Sequence, residues 1–309
     1  MSIPGASTGS AADQPALQRF SQIGPTRAGR VELPGRYGPI AALRTSAGPD
    51  GHGATALLLP GFTGSKEDFV PLLDPIADAG FDAVAIDLPG QYESAGPDDE
   101  AAYQPTALGV VIAELVGKLV AEGSRVLLLG HSFGGLVARG AVLAEAPITG
   151  LTLMDSGPGE LPTGARRSAL DAGEPTLRRE GVAGAQRVRE QLDSADPDWT
   201  TKPLALKELL RQRMLRSTAA GLLGMGAALR QEPDRVSKLA RSLRAADAPC
   251  LVVCGAGDDA WSVAAQRDMA ERLDADFAVV PGAKHSPNTE NPGVLLEALL
   301  PTWRAWLSR

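Results

Sequence analysis

The chain has 309 residues, 44% of them hydrophobic and 22% charged, with 30 Lys and Arg against 37 Asp and Glu for a net charge of −7. Such a chain fits an ordinary soluble globular protein with a large core, either one α/β domain with an insertion or two domains. The acidic balance argues against a nucleic-acid or anionic-membrane partner, and the longest apolar runs, 55–60 and 126–129, fall far short of the ~20 residues that span a bilayer.

Residues 1–25, rich in Ser, Gly and Ala, are expected to form a flexible N-terminal segment. They have neither the basic start nor the apolar core of a signal peptide. Two weaker strands are expected near 30–33 and 40–45, separated by the turn signal Pro34-Gly35. Strands at 54–59, 83–88, 125–129 and 150–154 then alternate with helices at 66–79, 106–122 and 134–145. From 156 to about 244 the sequence holds only Arg-, Ala- and Leu-rich helical patterns, which predicts a helical insertion with the main fold resuming near 234–244. A strand at 250–254, a helix at 263–273, a strand at 277–280 and a helix at 292–307 complete the chain. Most of these strands are continuously apolar, as strands covered on both faces are. Strand–helix alternation of this kind predicts an α/β fold with a mostly parallel central sheet flanked by helices.

Cys250 and Cys254 fall on one face of a single strand, ~13 Å apart at ~3.3 Å per residue. That exceeds the ~7 Å reach of a disulfide, and free buried thiols fit a reducing, cytoplasmic setting. Two cysteines on one strand and three scattered histidines make no ligand cluster, so neither a metal nor another cofactor is expected.

Gly130-His131-Ser132-Phe133-Gly134 fits G-x-S-x-G, and it directly follows a strand and precedes a helix. A nucleophile elbow needs that context: a tight turn that lifts the serine hydroxyl out of the sheet onto a helix N-terminus. Such a serine needs a base. Of the three histidines, His52 lies in a turn before the first core strand and His131 sits inside the elbow, where packing is the expected role. His285 follows the last strand at its carboxyl end, where α/β sites assemble, and is the expected base. The acid is expected between them, in Gly255-Ala-Gly-Asp258-Asp259 after the 250–254 strand, with Asp155 at the end of 150–154 as an outside candidate. Oxyanion donors are expected from the backbone N–H groups of Phe133 and of Phe62 in the turn Pro60-Gly61-Phe62-Thr63-Gly64, which leaves both phenyl rings free to line a pocket.

Together these residues resemble the α/β-hydrolase superfamily, in its cap-bearing serine hydrolase and esterase branch, over about residues 30–309. Pro60-Gly61-Phe62, Asp87-Leu-Pro-Gly90, the serine motif and Gly255-Ala-Gly-Asp258 occur in the family's order. His285 with Glu290 and Pro292 matches its H-x-x-x-x-E-x-P pattern. The resemblance implies an α/β-hydrolase fold with core segments 26–155 and 230–309 and a helical cap at 156–229, and its G-x-x-D pattern favours Asp258 over Asp259. Two departures, Pro60-Gly61 in place of His-Gly and the run Gly90-Gln-Tyr-Glu-Ser94, are expected to reshape the pocket mouth.

The expected activity is cofactor-independent cleavage of an uncharged or weakly polar carboxylic ester through Ser132, His285 and Asp258 and an acyl-enzyme. The expected partner is a small ester-like molecule, with no nucleic acid and no stable membrane insertion. A thioesterase, amidase, lactonase, C–C hydrolase or acyltransferase using the same triad stays open, as does a ligand-binding or sensing module on a hydrolase shell. A serine at this position argues against dehalogenases and epoxide hydrolases, whose alkyl-enzyme chemistry uses a carboxylate. In the cap, Arg167, Arg178, Arg179 and Arg187 are expected to be a solvated face rather than substrate contacts; Trp199, and Trp261 in the second core segment, are expected to be packing or pocket-wall residues.

Overall fold

The apolar run at 54–59 does form a strand, and all six of its residues are buried. Its side chains alternate between two cores: Leu57 and Leu59 belong to one, Ala56 and Leu58 to the other. A strand clad on both faces needs no polar alternation, which is why the core strands read as continuous apolar runs. Each fully buried leucine here contributes ~1.5–3 kcal/mol relative to exposure.

The computed structural model describes residues 21–195 and 197–309. The expected N-terminal segment therefore lies outside the described residues up to residue 20, and Ser21–Ile23 forms a 3₁₀ turn. In chain order the main elements are β1 (Gly29–Gly35), β2 (Gly38–Thr45), β3 (Ala54–Leu59), α1 (Val70–Asp78), β4 (Asp82–Ile86), α2 (Pro105–Ala121), β5 (Arg125–His131), α3 (Phe133–Leu143) and β6 (Gly150–Met154). They continue with α4 (Ala165–Ser194), α5 (Leu204–Arg216), α6 (Ala219–Gln231), α7 (Val236–Ala245), β7 (Cys250–Gly255), α8 (Val263–Leu273), β8 (Asp276–Val280) and α9 (Pro292–Leu307).

The strands form one sheet in the order β1-β2-β4-β3-β5-β6-β7-β8. β2 pairs antiparallel with both β1 and β4, and every other pairing is parallel. The mostly parallel sheet flanked by helices is thus present. Side chains of α2, α3, α7 and α8 fill the core on one face, and α1 and α9 cover the other. Trp303 of α9 is fully buried there and donates its indole N–H to Thr152 Oγ1 at 3.1 Å. Truncating a ring so placed costs ~3–5 kcal/mol.

Most boundaries shift by one or two residues, and two of the differences have a plain physical cause. The expected 66–79 helix is a 3₁₀ turn, Lys66–Phe69, followed by α1. Phe69 leaves the helical region at φ −102°, ψ 0°, and Pro71, lacking an N–H, falls at the restart. The strand expected at 83–88 ends at Ile86, because Asp87 turns into a buried charge cluster where it accepts from Lys66 N at 2.7 Å and Lys66 Nζ at 2.8 Å. Burial drives the Asp87 pKa up to about 6 against the pull of Lys66. Lys66 Nζ also meets Glu93 Oε2 at 2.6 Å.

Between β6 and α7 the expected helical stretch appears as α4, α5 and α6. α4 kinks at Gly181, whose φ of 67° lies outside any right-handed helix. Thr218 N donates to Gly90 O at 2.9 Å, and Leu161 N to Leu229 O at 2.7 Å, so the helical stretch is tied to the sheet loops and to its own entry. Among the described residues no helix is long and apolar enough to cross a membrane.

Candidate active site

Ser132 joins β5 to α3 with φ 53° and ψ −119°. A non-glycine residue so placed carries ~1–3 kcal/mol of backbone strain, tolerated only where the surroundings hold it. Here Ser132 N donates to Met154 O at 2.8 Å, and Ser132 O accepts from Gly135 N at 2.9 Å. The two motif glycines are steric necessities. A Cβ on Gly134 would lie 2.5 Å from both Leu59 O and Pro60 O, and one on Gly130 would lie 2.3 Å from Gly134 O.

His285 lies beyond β8, with its Nε2 3.0 Å from Ser132 Oγ and its Nδ1 2.8 Å from Asp258 Oδ1. A carboxylate only accepts, so the proton sits on Nδ1 and leaves Nε2 free to accept from the serine. Glu290 Oε2 accepts from Lys284 N at 2.5 Å and from Ser286 N at 3.3 Å, and this clamps the backbone on both sides of the histidine. Asp258 follows β7. Its Oδ1 also accepts from Ala260 N at 2.8 Å, and its Oδ2 from Gln266 Nε2 at 2.6 Å. Burial alone would raise its pKa, but the hydrogen bond and charge of His285 prevail and hold it below the usual carboxylate range. Asp259 turns outward to Arg166, 2.7 Å away.

Asp155 stands behind this pair. It is fully buried at φ 46°, and its Oδ1 accepts from Gly255 N at 2.9 Å. Burial first, and the charge of Asp258 second, push its pKa up to about 9, so it is a neutral acid at pH 7. Donor atoms of Asp155, Asp258 and His285 lie within 4.8 Å of one another, a trio that could in principle hold a metal ion. His285 Nδ1 and Asp258 Oδ1 are already joined to each other, and a cation would have to break that bond.

The second expected oxyanion donor lies in the Gly61–Gly64 turn, closed by Gly64 N donating to Gly61 O at 2.9 Å. This turn abuts the serine: a Cβ on Gly61 would come within 3.1 Å of Ser132 Cβ. Buried Gln91 fixes it, donating from Nε2 to Gly61 O at 2.8 Å while its Oε1 accepts from Leu88 N at 3.2 Å. Phe133 is the first residue of α3, where backbone N–H groups have no acceptor within the helix. The two rings separate. Phe62 lines the cavity, whereas the Phe133 ring is fully buried in the core and is not part of the cavity wall, contrary to expectation.

His131 packs as expected, and also does more. Its Nε2–H donates to the backbone carbonyl of His285 at 2.7 Å. Burial, and then the charge of His285, lower its pKa to about 4. His52 is remote, stacked edge-on against Phe81 at 4.8 Å.

Ser132 and His285 open onto a cavity of about 550 Å³ walled also by Phe62, Leu161, Leu229 and Trp261. Trp261 is 1% exposed and donates its indole N–H to Glu160 O at 3.1 Å. Trp199 is outside this wall, stacked beneath Lys202 and Lys207. The solvated-face expectation fits Arg178, paired with Glu100 and Glu174, and Arg187, paired with Glu180. Arg179 is exposed, and Arg167 donates to Leu161 O at 3.0 Å. Three other arginines, 166, 189 and 213, reach the cavity instead.

Residues 56–298 match the family model described as the alpha/beta hydrolase family. The chain belongs to the α/β-hydrolase family. A similar protein, the 2-succinyl-6-hydroxy-2,4-cyclohexadiene-1-carboxylate synthase of Enterobacter sp. (strain 638), is 28% identical over 274 residues, covering 83% of this chain and 93% of that one. Similar solved structures include a putative aryl esterase from Burkholderia cenocepacia (TM-score 0.70, 17% identity, 91% of this chain and 100% of that one). Another is a thermophilic esterase from Thermogutta terrifontis (TM-score 0.66, 23% identity, 91% and 98%).

Within this α/β hydrolase, the supporting residues were the hardest to single out from sequence. Gln91 stands in the very loop that departs from the family pattern, and that departure was its only signal. Gln266 lies eight residues beyond Asp258 on α8, a separation that only the helix makes meaningful.

Proposed function

We propose that this α/β hydrolase is a serine hydrolase that cleaves a carboxylic ester, with Ser132 as nucleophile, His285 as general base and acid, and Asp258 as the group that orients the imidazole. The observation that carries it is the unbroken relay from Ser132 Oγ to His285 Nε2 at 3.0 Å and from His285 Nδ1 to Asp258 Oδ1 at 2.8 Å, at the wall of a cavity large enough for a small substrate. His285 takes the Ser132 proton as Oγ attacks the acyl carbon. Asp258 stabilises the imidazolium that results. The N–H groups of Phe62 and Phe133, with the dipole of α3, stabilise the oxyanion, a contribution worth ~3–4 kcal/mol per donor in comparable sites. His285 then protonates the leaving alcohol. The acyl-enzyme is released when His285 activates a water in the same way. Residues 156–229 serve as the cap that shapes the acyl pocket.

Rates with p-nitrophenyl esters of rising acyl length, measured beside Ser132→Ala, test this. Turnover that falls to background in the variant supports it, and turnover that persists rejects Ser132 as nucleophile.

A second reading is favoured by the relative named as a cyclohexadiene carboxylate synthase, which matches across 93% of its length. In it the same Ser132, His285 and Asp258 act on a cyclic carboxylate in place of an ester, and Ser132 carries no acyl group. Trapping an acyl-serine from a slow ester separates the two.

A further inference from the structure

The cavity beside Ser132 has a charge opposite to that of the chain as a whole. Arg166, Arg189 and Arg213 reach it against a single carboxylate, Asp68, in a protein of net charge −7. Arg213 is buried to 8% exposure and donates from Nη1 to Asp68 Oδ1 at 2.7 Å. Asp68 is further committed, since its Oδ2 accepts from Ser65 N at 3.1 Å. A guanidinium has five N–H donors in a planar fork, so one bond to Asp68 leaves Arg213 with donors to offer.

Arg189 is less satisfied. Its nearest carboxylate among the described residues, Asp193, stands 3.6 Å from Nε, beyond hydrogen-bond range. Its side chain, 35% exposed, lines the same cavity as that of Arg213, and partial burial together with the charge of Arg213 lowers its pKa despite Asp193. Arg166 is at the rim, held by Asp259 at 2.7 Å. A compact anion between Arg189 and Arg213 would offset their charge and use the idle donors. Asp68 disfavours a doubly charged group there and leaves a single carboxylate as the best match.

The position of this pair bears on which part of a substrate it meets. A Cβ on Gly64 would lie 2.9 Å from Asp68 Oδ2, so the Arg213–Asp68 pair borders the turn assigned to the acyl carbonyl oxygen.

We propose that Arg189 and Arg213 form an anion subsite, and that the ester taken by Ser132 is a half-ester bearing a free carboxylate on its acyl chain. This rests on the ester-hydrolase function proposed above, and it replaces the uncharged substrate expected from sequence.

The test compares p-nitrophenyl hemiadipate with its neutral counterpart, methyl p-nitrophenyl adipate, in wild type, Arg189→Gln and Arg213→Lys. The last variant keeps a cation for Asp68 but loses the fork. Wild type should favour the anionic ester in kcat/KM by about 10- to 100-fold, as one or two charge-assisted hydrogen bonds provide. Each variant should lower that preference about tenfold. Equal rates on both esters in wild type overturn the subsite while leaving the hydrolase function standing. If neither ester is cleaved, the ester function fails and binding decides the subsite alone. Calorimetric titration of Ser132→Ala with monomethyl adipate should show affinity that Arg189→Gln weakens about tenfold, and affinity indifferent to Arg189 overturns the subsite.

Discussion

His131, the residue immediately before the proposed nucleophile, donates from Nε2 to the backbone carbonyl of His285, the proposed base, at 2.7 Å. One buried imidazole thus ties the end of β5 to the loop beyond β8, two segments that must keep Ser132 Oγ and His285 Nε2 in register. His131→Ala removes the donor and leaves a buried carbonyl unpaired, which costs ~1–3 kcal/mol. We expect the midpoint of urea unfolding to fall accordingly and kcat to drop about tenfold, since a base displaced by a fraction of an ångström loses alignment. A variant with unaltered kcat would show that the loop holds His285 without this contact.

The same histidine sets a pH dependence of stability. Its folded pKa, lowered to about 4, lies below the ordinary 6.5. Between those values the unfolded chain takes up a proton that the folded protein refuses, so stability falls on acidification by ~1.4 kcal/mol per pH unit from this group. Asp155 acts in the opposite sense. Its folded pKa of about 9 stands above the ordinary 3.8, so its contribution to stability is complete only below the unfolded value. From about pH 4 to about 9 the folded protein holds a proton that the unfolded chain has lost, and stability falls as pH rises. The two slopes oppose each other below pH 6.5, and Asp155 alone remains above it. Asp155→Asn keeps an acceptor for Gly255 N–H and removes the titration. We expect it to flatten the decline of stability between pH 7 and 9, as read by urea unfolding. A variant declining as steeply as wild type would place the slope elsewhere.

Gln91 supports the turn that carries Phe62 through its 2.8 Å bond to Gly61 O. Gln91→Glu removes that donor and sets a carboxylate against the carbonyl. We expect kcat on a neutral p-nitrophenyl ester to fall about 10- to 100-fold with a smaller change in KM, the pattern of support lost mainly in the transition state. A rise in KM with kcat unchanged would instead make Gln91 a ground-state binding residue.

The sheet was legible because its strands are short apolar runs bounded by turn residues. Those at 54–59 and 150–154 were read to the residue, as were the helices at 263–273 and 292–307. Other boundaries moved by a residue or two, and those at Asp87 and Pro71 moved because charge or proline intervened. Ser132, Asp258 and His285 could be named from local motifs and chain order, and the structure brings their side chains within hydrogen-bond reach. What could not be read were contacts made by long side chains across the fold. Arg189 and Arg213 resemble the solvated arginines around them in composition, and only the packing of α4 and α5 turns them toward the cavity. Asp155 was visible at a strand end, but its neutrality follows from burial beside Asp258, which no linear pattern encodes.

The most direct measurement is intact-protein mass spectrometry after exposure to a fluorophosphonate, with peptide mapping of the adduct. A single covalent adduct on Ser132 is expected, absent from Ser132→Ala and formed much more slowly in His285→Ala. A folded wild-type protein that takes up no adduct, or takes it up at another residue, would contradict the assignment of Ser132 as an activated nucleophile.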